Sequence, residues 1–208
     1  MPFPIDEYSK EVITSHFRRK RLVWSEDYFI QKLDNPGSKY DVYFATIALR
    51  DCGTEKCIPS LKAKIYYPMQ DVKCTSLLTI AHIAREKESD FYAQCLLDTK
   101  YREKGYAMWA INDAADQRAV EAVCAYFEKN NNKFSRGLLA NGTVVDGINF
   151  LLKQSTISAR AKSFLNYVKE IWFNLPQGER QELIKNAPYF ERYEFSVDVT
   201  SGYTKQAD

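Results

Sequence analysis

A repeat of 31 residues constrains the fold of this 208-residue chain more than any other feature. Three segments align at that offset: ATIALRDCGTEKCI (45–58), SLLTIAHIAREKES (76–89) and AMWAINDAADQRAV (107–120). Self-similarity at a fixed period is typical of solenoid folds, in which each structural unit packs against its sequence neighbours. The repeat therefore predicts stacked copies of one supersecondary unit over about 38–153.

Residues of the same kind recur at matching positions in all three copies. Two columns are small (Ala45, Ser76, Ala107; and Ala48, Thr79, Ala110) and one is aliphatic (Leu49, Ile80, Ile111). Steps of three and four residues place these columns on one face of a helix. Because helices approach closely only where side chains are short, the small columns predict tight packing between the first helices of successive units.

A further, bulky column contains Ile47, Leu78 and Trp109. We expect this bulk to fill the gap between layers, so that truncation of Trp109 to alanine would cost about 3–5 kcal/mol of stability. Asp113 follows Trp109 by one helical turn and aligns with Asp51, which favours a role in the repeat framework. His82 lies in an apolar stretch and is interpreted as a packing histidine.

Each first helix is expected to be followed by a turn and a second helix. Thr54 and Asp116 are predicted N-caps of these second helices, because short polar side chains can accept a backbone N–H at that position. Gly53 is expected to end the first helix in a left-handed conformation. The middle copy has no clear cap in REKESD (85–90).

Two stretches, ALRDCGTEKCIPSL (48–61) and AINDAADQRAVEAV (110–123), resemble the HEAT-like repeat, written loosely A-L-x-x-I-G-x-x-x-A-I-P-x-L. The resemblance is best over about 38–130. It implies an all-α fold, an α-α superhelix of helical hairpins of about 30 residues each. It also implies that the second helices line the concave side of the array.

The remaining chain is predicted to flank the repeats within a single domain over 1–208. We expect an N-terminal helix pair over 5–34, HEAT-like repeats over 38–153, and capping helices over 157–187 that cover the exposed ends of the array. Beyond them the helical period is lost, which predicts a short extended or loose C-terminal arm over 191–208.

Composition and motifs narrow the function classes. The formal net charge of +2 gives no strong attraction to nucleic acid, and no apolar run is long enough for a membrane span. Four of the five cysteines lie in apolar helical pattern, and the cysteines are interpreted as reduced thiols in a cytoplasmic protein. No phosphate-binding loop, nucleophile elbow or zinc spacing occurs, so we expect no enzyme activity, no metal and no cofactor.

The implied concave surface predicts a site for a protein partner, because it mixes charge with tyrosine. Its predicted residues are Lys56, Lys62, Tyr92, Gln94, Gln117, Arg118, Glu121 and Tyr126. The leading hypothesis is an immunity protein that neutralises a bacterial toxin. It rests on architectural analogy with other small repeat proteins. A regulatory scaffold or adaptor is the second hypothesis. The third is a helical-repeat DNA glycosylase that uses Trp109 and Asp113.

Overall fold

A computed structural model of the chain describes residues 25–185, and these residues are helical throughout, joined by turns and containing no strand. The all-α prediction is therefore confirmed for this part of the chain. The predicted first helix within 5–34 and the predicted arm over 191–208 lie outside the described residues.

The described residues form α-helices of 4 to 15 residues. They are α1 (Glu26–Asp34), α2 (Lys39–Cys52), α3 (Ile58–Lys62), α4 (Gln70–Ala84), α5 (Ser89–Leu97), α6 (Lys104–Ala114), α7 (Val120–Lys129), α8 (Asn131–Phe134), α9 (Asn141–Lys153), α10 (Ala159–Glu170) and α11 (Gln177–Ile184). Short 3-10 turns precede α3, α5 and α7 at Glu55–Cys57, Arg85–Glu88 and Gln117–Ala119. Among the described helices, none is long and apolar enough to cross a membrane.

The chain divides into two compact units. Unit A contains the described residues up to Glu88 together with Thr99–Tyr106, and unit B contains Ser89–Asp98 together with the residues from Ala107 onward. The single domain over 1–208 stays a prediction.

Unit A is built on the contact between α2 and α4, the first helices of two successive repeats. Ala45, Ala48 and Ser76 from the small columns are fully buried. The Thr79 hydroxyl donates a hydrogen bond of 3.0 Å to the backbone carbonyl of Thr46 on the facing helix. A side chain as short as threonine can reach a neighbouring backbone only where two helices lie close together. The predicted role of the small columns is thus confirmed in this unit.

Unit B has an aromatic core. Its α7 packs against α5 and α10, and α9 packs against α11. The rings of Phe127 and Phe164 stack with their centroids 4.7 Å apart, and Phe134 lies 5.0 Å from Phe127. On α9, a Cβ atom added to Gly147 would lie 2.6 Å from the Phe127 ring. The glycine therefore lets α9 lie directly against this aromatic cluster.

Both predicted N-caps are confirmed. The Thr54 side chain accepts from the backbone N–H of Lys56, and the Asp116 side chain accepts from that of Arg118. Each cap fixes the point at which the chain turns into the second helix of its repeat. At the matching position of the middle copy, Arg85 has a φ of 50°, a left-handed backbone that is costly for a residue with a Cβ.

The predicted conformation of Gly53 is wrong. Its φ and ψ are −77° and 155°, which any residue can adopt. Glycine is required there by crowding, because a Cβ atom would lie 2.4 Å from the Leu49 carbonyl oxygen and 2.9 Å from the Cys57 sulfur. Chain geometry at the helix end, and not backbone handedness, excludes a side chain.

The cysteines are free thiols, and four of the five are buried. Burial raises the pKa of Cys57, Cys74 and Cys124 to about 12, and that of Cys52 to about 11. Since the thiolate is the reactive form, these groups act as small apolar side chains at neutral pH.

The hydroxyl groups of the small columns can be tested by a matched pair of substitutions. Ser76 Oγ is buried without a hydrogen-bond partner among the described residues, and the other two copies carry alanine there. We expect Ser76→Ala to raise the free energy of unfolding by about 1 kcal/mol, because an unsatisfied buried hydroxyl is removed. Thr79→Val should lower it by about 1 kcal/mol, because the bond to Thr46 is lost. Urea denaturation measures both, and an equal loss in the two variants would contradict the close packing described for α2 and α4.

The two glycines of α9 give a second test. Gly147→Ala should destabilise unit B by about 1–3 kcal/mol, because the new methyl group meets a ring that is itself packed between two others. Gly142 has open space around its Cα, so Gly142→Ala should stabilise the helix by about 0.5–1 kcal/mol. Thermal and urea unfolding of both variants measure the difference. Stabilisation by Gly147→Ala would show that α9 does not lie against Phe127.

Candidate functional site

The structure divides the predicted concave surface into exposed and buried members. Exposed or half-buried are Lys56, Lys62, Gln94, Gln117, Arg118 and Glu121. Tyr92 is 0% exposed and Tyr126 is 8% exposed. Both tyrosines belong to the core, so their prediction as surface contacts is wrong. The periodicity of α5 and α7 indicates an apolar face on each helix. A tyrosine can lie on such a face because its ring is large and apolar.

The basic residues of this surface form ion pairs with acids from earlier segments. In unit A, Lys56 contacts Asp27 at 2.5 Å and Lys62 contacts Glu88 at 2.6 Å. In unit B, Arg118 contacts Asp116 at 3.0 Å and Asp90 at 3.3 Å. Exposed pairs of this kind contribute little to stability. They do neutralise basic side chains that were predicted to contact a partner protein.

The pairing repeats with the sequence period. Lys56, Lys87 and Arg118 are 31 residues apart, and each contacts an acid that lies 28 to 32 residues before it, with Glu55 as the partner of Lys87. Basic side chains at these positions therefore link each stretch of chain to the stretch about one repeat before it. Lys56 and Arg118 were predicted from the sequence as contact residues, but their acidic partners were not.

The bulky column of the repeat does not lie in the core, and this prediction is wrong for Trp109. Its side chain is 47% exposed, whereas Met108 and Ala110 on either side are fully buried. Each residue advances about 100° around an α-helix, so Trp109 points roughly 160° away from Ile111. The sequence contained this signal, since the small columns already define the inward face.

Asp113 shares the outward face of α6 with Trp109. It is exposed and lies one helical turn further along, where side chains at i and i+4 are neighbours. The aligned position in α4 is His82, which is also exposed. The interpretation of His82 as a packing histidine is therefore wrong for the same geometric reason.

A polar network that the sequence did not predict begins at Asn112, the neighbour of Asp113 on α6. Asn112 Nδ2 donates to Asp146 Oδ1 on α9 at 2.9 Å, and Lys153 Nζ donates to Asn112 Oδ1 at 3.0 Å. Burial raises the pKa of the half-buried Asp146, while the Asn112 hydrogen bond and the Lys153 charge act in the opposite direction. We name the set Trp109, Asn112, Asp113, Asp146 and Lys153 the Trp109 cluster.

The Trp109 cluster has the chemistry of a recognition site. An exposed indole offers a large apolar surface and an electron-rich face to which cations are attracted. Asp113 and Asp146 add carboxyl groups, and the amide of Asn112 holds the second of these in place. Within residues 25–185, no group of three or more histidine, cysteine, aspartate and glutamate side chains is arranged to hold a metal ion.

The chain matches no model of a known protein family, no curated protein and no solved structure. The described helices are compatible with a helical-repeat fold, and the 31-residue repeat remains the feature that relates them to one another.

The new position of Trp109 reverses the expected cost of removing it. We expect Trp109→Ala to lower the free energy of unfolding by less than about 3 kcal/mol, because about half of the indole surface already lies in solvent. Met108→Ala, the neighbouring buried position, should cost about 2–5 kcal/mol. Urea denaturation of the two variants provides the comparison, and a loss of about 3–5 kcal/mol in Trp109→Ala would return this residue to the core.

Proposed function

We propose that this chain is a HEAT-like, non-catalytic repeat protein that binds a partner protein through the Trp109 cluster. The observation that carries the proposal is the 47% exposure of Trp109 on a helix whose adjacent residues are fully buried. Tryptophan is highly buried on average in folded proteins. At interfaces it is enriched among the few residues that dominate the binding energy.

The helix that carries Trp109 supports such a role because its other side is fixed. Met108, Ala110 and Ile111 are all 0% exposed, so α6 holds the indole on a packed backbone. A side chain on a rigid element loses little conformational entropy on binding, and more of the contact energy appears as affinity.

The polar groups of the cluster favour a particular partner surface. The cluster presents the carboxyl group of Asp113 on α6 and that of Asp146 on α9, which accepts a hydrogen bond from Asn112. Charge complementarity then favours a partner that places a basic residue beside the apolar contact made by the indole.

Among protein-binding roles, an immunity protein that neutralises a bacterial toxin is the specific form we propose. A small helical-repeat chain offers a broad, preformed surface, which suits stoichiometric inhibition of one partner. A regulatory scaffold or adaptor uses the same kind of surface. The two differ in genetic context, because an immunity gene lies beside the gene for its toxin.

The proposal is tested by affinity capture from the native host followed by mass spectrometry. The wild-type chain should retain one partner in stoichiometric amount, and Trp109→Ala should lose it, since the central apolar contact is removed. Leu138→Ala is the matched control, because Leu138 is another exposed large apolar residue of unit B, 66% exposed. It should retain the partner as the wild type does.

Retention of the partner by Trp109→Ala at wild-type level would refute the role of the cluster. For the specific role, the neighbouring reading frame is expressed with and without this chain. Growth arrest that the wild-type chain relieves, and Trp109→Ala does not, supports an immunity protein. Relief by both variants would assign the inhibition to another surface.

A DNA glycosylase is the second candidate function. Trp109 and Asp113 are both exposed and lie one helical turn apart, which favours this function more than the core position expected for Trp109 from the sequence. An indole and a carboxylate could contact a cationic damaged base. Against it, the carboxyl groups of the cluster repel phosphate. Duplex-DNA binding that weakens steeply with salt, together with loss of base release in Asp113→Asn, would support the glycosylase. Absence of DNA binding at low salt would dismiss it.

A further inference from the structure

Unit B contains a concave site that involves none of the residues of the Trp109 cluster. It is a cavity of about 520 Å³ formed by α7, α8 and α10. Its lining includes Phe127, Glu128, Arg160, Ser163, Phe164 and Tyr167. We name this cavity the aromatic groove. Its volume lies within the range of about 300–1,000 Å³ that is usual for small-molecule sites.

One wall of the groove is a continuous set of rings. Phe127 and Phe164 stack with 18° between their planes, and Tyr167 lies 6.2 Å from Phe134 behind them. Phe127 and Phe164 are held in the core, 1% and 7% exposed, while Tyr167 is half-buried. Phe127 and Phe164 therefore form a rigid support for this wall, and the ring surface open to an entering flat ring is that of Tyr167.

The rim of the groove carries an uneven set of charges. Arg160 Nε and Nη2 donate to the two carboxylate oxygens of Glu128 at 2.8 and 2.5 Å. Arg160 Nη1 donates to Glu121 at 2.9 Å, and the Ser158 hydroxyl donates to the other oxygen of Glu121 at 3.1 Å. One guanidinium group is thus shared by two carboxylates.

The pairing of Arg160 with two carboxylates determines which ligand charge the groove favours. Hydrogen bonds from Arg160 lower the pKa of both Glu121 and Glu128, so both are ionised at neutral pH. The three side chains together retain one negative charge. A carboxylate ligand would have to compete with both glutamates for Arg160, whereas an ammonium group can use the lone pairs that the glutamate oxygens still offer.

We propose that the aromatic groove binds a small aromatic amine, with its ring stacked on Tyr167 and its ammonium group at Glu128. The ring is selected by the rigid aromatic wall, and the positive charge by the surplus carboxylate. The site lies on α7, α8 and α10 and is independent of the partner proposed for the Trp109 cluster.

The test compares two probes that share a ring and differ in charge. Isothermal titration calorimetry and NMR chemical shifts are recorded for the full chain with tryptamine and with indole-3-propionate. We expect saturable binding of tryptamine and at least roughly tenfold weaker binding of indole-3-propionate, which reverses only the ligand charge. No binding of tryptamine, or equal binding of both probes, would overturn the proposal.

Two substitutions locate the binding in the groove. Ser163→Tyr places bulk at the lining and should weaken tryptamine binding roughly tenfold or more. Lys162→Tyr, at the exposed neighbouring position outside the lining, is the matched control and should bind as the wild type does. Equal binding by Ser163→Tyr would place tryptamine elsewhere and refute the site.

Glu128→Gln tests the charge without adding bulk and keeps the test valid if Ser163→Tyr fails to fold. It removes the surplus negative charge, since Arg160 is then balanced by Glu121 alone. Tryptamine binding should weaken several-fold, and the difference between the two probes should shrink. An unchanged ratio of the two affinities would refute the role of Glu128.

Discussion

Close contact between helices through short side chains is the constraint on which the described structure depends. In unit A it brings α2 and α4 near enough for Thr79 to bond the backbone carbonyl of Thr46. In unit B the same column positions, Ala107 and Ala110, are fully buried on α6. In unit A, a longer side chain at these positions would separate α2 from α4 and lose contacts between them.

The small inward face determines where bulk can go. Once Ala107, Ala110 and Ile111 define the packed side of α6, the indole of Trp109 can only point outward. The Trp109 cluster is thus a consequence of the packing rule and not an exception to it. The exposure of this large aromatic residue on the outward face is the observation on which the proposed binding role rests.

Several charged side chains in the described residues form ion pairs with one another. The basic residues at 56, 87 and 118 each contact an acid from an earlier segment, so a nearly neutral composition hides an organised set of pairs. The aromatic groove departs from this balance, because Arg160 faces both Glu121 and Glu128. Local charge excess, and not net charge, is what gives a surface selectivity for a charged ligand.

The 31-residue repeat by itself determined the helical class, the small buried columns and the caps at Thr54 and Asp116, because these depend on periodicity and on local hydrogen bonding. The same small columns already imply that Trp109 points outward, whereas only the tertiary structure decided that Tyr92 lies in the core. It alone brought Asn112 to Asp146, 34 residues apart, and Arg160 to two glutamates on another helix. Contacts between side chains on different helices depend on how far and at what angle the helices approach, and no single segment of sequence contains that distance.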